Sequence, residues 1–293
     1  MRVLLVELLL LSAACLGQAR QVDGLLEKKT IHALEDLAAK LDGVMGVAAI
    51  DLTTGHTISL NGATVFPQAS SIKIPIMIQV FRQIGQGKLR MDQEVPVDLK
   101  SLVDSSPRFK AAAESTGKMT IRQLIEAMIE VSDNASTNVL FQFVGMANVN
   151  AWLDSVQLKQ TRLRRKMIDI AAATRNEENV STPLEMAALA AKLYHGQVID
   201  KAASADMLEI LSRVKGDMRA AIPVGVRVAA KPGELTGVRC ETGIVYLDKR
   251  PFALSVAGAY LGENMNPVPE ATVIIFHHFE MLAKSNRYGR SLQ

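Results

Sequence analysis

Residues 239–261 read RCETGIVYLDKRPFALSVAGAYL. Two apolar, β-prone runs, Arg239–Leu247 and Pro251–Leu261, flank Asp248-Lys249, which predicts two antiparallel strands joined by a tight turn. Working back, Val226–Lys231 predicts a third strand. At the other end of the chain, Val44–Leu52 and His56–Leu60 flank Thr53-Thr54-Gly55, the pattern of a hairpin. Between these ends the periodicity is helical. Ser70–Gly85 opens with a Ser cap and tolerates Pro75 near its first turn. Thr120–Val131 starts with a capping box, Thr120 and Gln123. Asn134–Val144 and Asp200–Val214 follow the same 3.6-residue period. Thr182–Tyr194 carries Thr182 and Glu185 around Pro183. Gly24–Leu41 and Pro269–Lys284 are the terminal helices.

Strands at both ends with helices between them predict an α+β fold. One five-stranded antiparallel sheet is built from both chain ends and flanked by helices, and a helical lobe is inserted at roughly 70–220. A cleft between sheet and lobe is where a site is expected. The 293 residues suffice for such a domain. A net charge of +3 gives no case for nucleic acid, which needs a strongly basic face. Neither repeats nor low-complexity segments occur.

Met1-Arg2 followed by a Leu-rich run to about Cys15 has the layout of a secretory signal, although Glu7 interrupts it. Gly17-Gln18-Ala19 offers a cleavage site, so 1–19 is expected to be removed and 20–293 to form the domain, secreted or periplasmic. Cys15 after Ser12-Ala13-Ala14 weakly suggests lipoprotein anchoring, with Leu11 one place early. The other cysteine, Cys240, has no partner in the mature chain and reads as a small buried residue.

Ser70-Ser71-Ile72-Lys73 places a serine and a lysine on one face of a helix start. A neutral lysine amine can take the serine proton if burial or a second cation depresses its pKa. A helix N-terminus also stabilises an oxyanion. Such a short motif recurs by chance, at Ser115/Lys118 and Ser212/Lys215, but only the first lies between a hairpin and a helix start. Ser132-Asp133-Asn134 falls between two helices, where caps alone would explain it. Lys231-Pro232-Gly233 lies on the Val226 strand, where a lysine is ordinarily a solvated edge residue.

The three motifs in this order, about 60 and then about 100 residues apart, match the set carried by penicillin-recognising serine enzymes. The mature chain resembles class A β-lactamases and, more loosely, penicillin-binding proteins. The resemblance implies a hydrolase without cofactor or metal, acting on a small β-lactam or peptidoglycan-like substrate, and a monomer is expected. It implies that Ser70 attacks the lactam carbonyl and Lys73 accepts its proton. Ser132 relays a proton to the leaving nitrogen. Lys231 supplies charge near the substrate carboxylate and keeps Lys73 deprotonated. Asn134 bonds the substrate amide. Gly233 belongs to the Lys-x-Gly motif, and the N–H groups of Ser70 and Glu234 form an oxyanion hole. Asp133 is structural.

Two departures bear on function. The family's Glu-x-x-Leu-Asn loop, whose glutamate activates the deacylating water, is absent. Lys166 stands in its slot, and Asp169, Glu177 and Glu178 are the nearest carboxylates. Pro232 replaces a hydroxyl residue that helps bind the substrate carboxylate, with Arg239 or Thr236 as substitutes. Three readings therefore share one acylation chemistry: a β-lactamase, a D-Ala-D-Ala peptidase or esterase, and a covalent β-lactam sensor that stalls. The Arg162–Lys166 run reads as a solvated loop with local ion pairs. His277-His278 with Glu280 lacks metal spacing.

Overall fold

The structure, a computed structural model, describes residues 22–98 and 104–292. The secretory-signal and Cys15 readings fall outside those residues. A helix α1 over 22–40 leads into a hairpin of β1 (Val44–Asp51) and β2 (Thr57–Leu60). The short β3 (Phe66–Pro67), the helix α2 (Lys73–Gly85) and β4 (Glu94–Pro96) follow. Next come α3 (Pro107–Ser115), β5 (Lys118–Thr120), α4 (Ile121–Glu130), α5 (Asn134–Val144) and α6 (Met146–Ser155). A short α7 (Ile170–Thr174) and β6 (Val180–Ser181) precede α8 (Pro183–Tyr194), α9 (Lys201–Ser212) and α10 (Asp217–Ala221). The chain closes with β7 (Val228–Leu235), β8 (Val238–Val245), β9 (Phe252–Ala259) and α11 (Val268–Lys284).

The expected five-stranded antiparallel sheet is present, in the order β2-β1-β9-β8-β7. Its two halves meet at β1 and β9, paired from Val44↔Ala259 to Asp51↔Phe252. One face packs on α1 and α11 through Leu34, Leu37, Val47, Leu254, Val256, Ile275 and Phe279. Phe252 stacks on Phe279 with ring centroids 4.5 Å apart. The other face meets α8 and the helical lobe. At the centre of that lobe runs α2, buried around most of its circumference by Ile74, Ile76, Met77, Ile78, Val80 and Phe81. A helix apolar all round can only be a core helix, and this one holds its first residue rigidly.

The capping box at Thr120 and Gln123 forms as read. Two local expectations are corrected. Ser70 does not cap α2; it sits in a 3-10 turn, Ala69–Ile72, with no side-chain cap. At α8, Thr182 accepts from Glu185 N, but the Glu185 carboxylate does not return to Thr182. It accepts instead from Gln160 N (2.8 Å), Thr161 N (2.7 Å) and Thr161 Oγ1 (2.7 Å), anchoring the preceding loop. Asp248-Lys249 forms the expected tight turn, with Arg250 N donating to Leu247 O (3.2 Å) and Lys249 at φ 63, beyond the last ladder pair Val245↔Phe252. Arg250 reaches Asp51 (2.7 Å) and Pro251 O accepts from Leu52 N (3.0 Å), so the chain leaves β8 at Val245.

Glu185→Ala leaves partly buried donors of the 160–161 loop without an acceptor. It should lower stability by about 2–3 kcal/mol in urea unfolding. A loss under about 0.5 kcal/mol, the scale of a neutral surface change, would show that the loop does not depend on this carboxylate.

Candidate active site

Four elements converge where the helical lobe meets the sheet edge. The 3-10 turn carries Ser70, and α2 begins at Lys73. The turn between α4 and α5 carries Ser132 and Asn134. The edge strand β7 carries Lys231, Pro232, Gly233 and Glu234. A cavity of about 350 Å³ is lined by Ser70, Asp104, Val131, Ser132, Asn134, Lys231, Pro232, Gly233 and Glu234. Lys73 lies beneath it, fully buried. A larger cavity of about 510 Å³, between α1, the β1–β2 hairpin and α11, has none of these residues in its lining.

Lys73 Nζ donates to Ser132 O (2.7 Å), Ser132 Oγ (3.2 Å) and Asn134 Oδ1 (2.8 Å). None of these acceptors is a carboxylate. Burial, and then the nearby Lys231 charge, push the Lys73 pKa well below the ordinary lysine value, while Asp133 and Asp104 act weakly the other way. The amine is thus biased toward its neutral, proton-accepting form. Lys231 is 1% exposed, donates to Pro232 O (3.0 Å), and is pushed by burial down to about 8. It is not the solvated edge residue that strand lysines usually are.

The Ser132 turn is held by its neighbour. Asp133 Oδ1 accepts from Ser136 N at the start of α5 (2.6 Å), and Oδ2 accepts from Ser106 N. Ser132 adopts φ 57, and Ala69, beside Ser70, φ 43. Left-handed backbone at two non-glycine residues of one site is strain that the surrounding packing must hold in place.

Strand β7 is brought close by Gly233. A Cβ there would lie 2.6 Å from Gln68 O, 2.7 Å from Cys240 Sγ and 2.8 Å from Ser71 N. Ser71 Oγ donates to Lys231 O (2.9 Å), joining the nucleophile's turn to the strand. Tyr246 N donates to Arg227 O (2.9 Å), which sets the pairing parity of β8 with β7. Residues 227, 229, 231, 233 and 235 face the ladder, and 232 and 234 face the free edge. Pro232 therefore costs no ladder bond, and Glu234 N–H points outward at the edge that lines the cavity.

Loop 162–178 supplies no carboxylate to the cavity. Lys166 is exposed. Asp169 caps α7, accepting from Ala172 N (2.9 Å). Glu177 pairs with Arg175 and Glu178 with the buried Arg165 (both 2.9 Å). Arg162 pairs with Asp154, as a loop of local ion pairs requires. Of the proposed substitutes for the missing hydroxyl, neither lines the cavity. Arg239 pairs with Glu234 (2.7 Å) and donates to Leu235 O and Val238 O, and Thr236 faces a separate surface cavity.

Sequence reasoning missed two residues. Asp104 lines the cavity and accepts from Asn134 Nδ2 (3.2 Å). Only its place just before the Ser106-capped α3 could have drawn notice. Glu241, on β8 directly opposite Pro232 of β7, is 1% exposed and accepts from Met218 N (3.0 Å). Burial pushes it up to about 7, against the pull of that N–H. Cys240 is buried, as read, and burial pushes its thiol up to about 11.

A family model described as the beta-lactamase enzyme family matches residues 28–271. Among solved structures, the chain is similar to the class A beta-lactamase of the last common ancestor of Gram-negative bacteria. The identity is 27% and the TM-score 0.79, covering 87% of this chain and 99% of that one. It is similar to a beta-lactamase from Chitinophaga pinensis at 26% identity and TM-score 0.76, covering 87% and 98%. PBP-A shares the fold, with TM-score 0.77 at 19% identity over 87% and 96% of the two chains.

Lys231→Met removes a charge that depresses Lys73. The acid limb of Ser70 acylation by an activated ester, followed by intact mass against pH, should move to higher pH. A limb that stays in place would disprove the coupling. For Glu241, the folded-state pKa of about 7 lies above the ordinary carboxylate value of 4.5. Its contribution to stability is full below 4.5 and is lost as pH rises through about 7. Glu241→Gln should flatten that part of the urea-stability profile; an unchanged slope would refute the assignment.

Proposed function

The chain belongs to the beta-lactamase enzyme family, and we propose from that premise that it opens β-lactam rings through an ester on Ser70. The observation that carries this is the buried Lys73 amine, held without a carboxylate partner and pushed toward neutrality beside the Ser70 turn. In this reading Lys73 takes the Ser70 proton as Oγ bonds to the lactam carbonyl carbon. The N–H groups of Ser70 and Glu234 receive the oxyanion. The C–N bond then breaks, and its nitrogen takes a proton passed from Lys73 through the Ser132 hydroxyl 3.2 Å away. Asn134 bonds the substrate amide. Lys231 keeps Lys73 deprotonated and offers the positive charge for a substrate carboxylate.

Water must then release the acyl group. With the loop carboxylates engaged elsewhere, the neutral Lys73 amine is the base we assign to this step. A dedicated general base is worth about 10²–10⁴ in rate, so hydrolysis should trail acylation. We also propose that the protein acts outside the cytoplasm after loss of 1–19, as a monomer, from the sequence pattern alone.

Mixed with a chromogenic cephalosporin, the purified protein should show a burst of one equivalent, then slow continuous turnover. Intact mass should show an adduct on Ser70, and Ser70→Ala should show neither burst nor adduct. Full turnover by Ser70→Ala would end this mechanism. An adduct that never hydrolyses would end its second half.

A further inference from the structure

Across the sheet from Ser70 lies the cavity of about 510 Å³ between α1, the β1–β2 hairpin and α11. That volume suits a small organic molecule, and the acyl-transfer chemistry makes no use of it. His278 of α11 lines it and is 4% exposed. Its ring is held on one side by α1. The Thr30 hydroxyl donates its one hydrogen to Leu26 O (3.0 Å), so His278 Nδ1, 2.8 Å from Thr30 Oγ1, carries the proton of that contact. Burial pushes the His278 pKa down to about 4, which keeps the ring neutral. Nε2 is then a bare lone pair, without a hydrogen-bond partner among the described residues. Metal-ligating side chains form no cluster here among those residues, so the lone pair is set for an N–H donor.

The walls add charge and apolar surface. Asp51 is spent within the fold, accepting from Thr53 N (2.7 Å) and from Arg250 (2.7 Å). Glu27 Oε2 lies 2.9 Å from His56 Nε2. Asp23, at the exposed rim, has no partner among the described residues. Even with His56 counted as a cation beside Arg250, the carboxylates of Asp23, Glu27 and Asp51 outnumber the positive groups of the lining. Phe279 and Leu282 supply an apolar wall, and a Cβ on Gly24 would meet nothing within 4 Å.

We propose that this cavity is a second binding site, for a small organic cation that joins a charged N–H group to an apolar body. The N–H group donates to His278 Nε2 near the carboxylates of Glu27 and Asp23, and the body packs on Phe279 and Leu282. A buried acceptor without a donor is costly, and the ligand recovers that cost. An occupant touching α1, the hairpin and α11 together binds only the folded chain and so stabilises it by mass action.

The probes are benzamidine, benzamide and benzoate, which share one ring and differ in the charge of one group. Binding is followed in the amide and histidine-ring ¹⁵N spectra of the purified protein. Benzamidine should bind saturably and shift Gly24, Glu27, His278 and Leu282. The His278 ring should report a proton on Nδ1 and none on Nε2. One charge contact at close range is worth about a fivefold change in affinity, so benzamide should bind at least about fivefold more weakly, and benzoate more weakly still. His278→Phe should weaken benzamidine by about fivefold or more, the worth of one hydrogen bond. Gly24→Leu fills the cavity without removing a polar contact. It should abolish the shifts while Ser70 acylation keeps its rate. Benzamide or benzoate binding within about fivefold of benzamidine, a ring protonated at Nε2, or shifts confined to the Ser70 cavity would overturn the proposal. So would unchanged benzamidine affinity in Gly24→Leu, or no saturable binding at all.

Discussion

One buried amine sets the geometry of the site. Lys73 starts α2, the apolar helix at the heart of the helical lobe, so its backbone cannot shift without disturbing that core. Its Nζ is satisfied by a carbonyl, a hydroxyl and an amide oxygen of the 132–134 turn, with no counter-ion in contact. Burying an amine this way penalises its charged form, and that penalty favours the neutral, proton-accepting form. The same contacts join the nucleophile's helix to the turn that would serve the leaving group. Proton acceptance and proton donation are thereby coupled through a single atom.

The second lysine comes from the other half of the molecule. Gly233 lets β7 approach the Ser70 turn to van der Waals contact, and Ser71 clamps Lys231 O to that turn. The Lys231 charge adds to burial in lowering the Lys73 pKa, and burial lowers that of Lys231 as well. Left-handed backbone at Ala69 and Ser132 is tolerated because both turns are tied down, the first by β7 and the second by Asp133.

The 162–178 loop keeps family position without family chemistry. Arg165 is buried and needs Glu178, and α7 needs Asp169 as its cap. Each loop carboxylate is thus committed to structure before any could orient a water. The carboxylates that do line the cavity, Asp104 and Glu234, arrive from different elements, the first bonded to Asn134 and the second to Arg239.

Hydrophobic period and turn residues in the sequence were enough for the sheet, for the helices of the lobe and for the three motifs. Those signals are local, and each element buries a face that its own spacing declares. Ser70, Lys73, Ser132 and Lys231 were legible because residue type, order and distance along the chain carry the chemistry. What only the tertiary structure decided is where each polar group spends its hydrogen bonds. Whether Glu185 returns to its own cap, whether Arg239 serves a substrate or Glu234, and whether Asp104 reaches Asn134 depend on partners dozens of residues away. The same holds for pKa. That burial lowers both Lys73 and Lys231 only the tertiary structure could decide, because desolvation is a property of surroundings that no single stretch of chain contains.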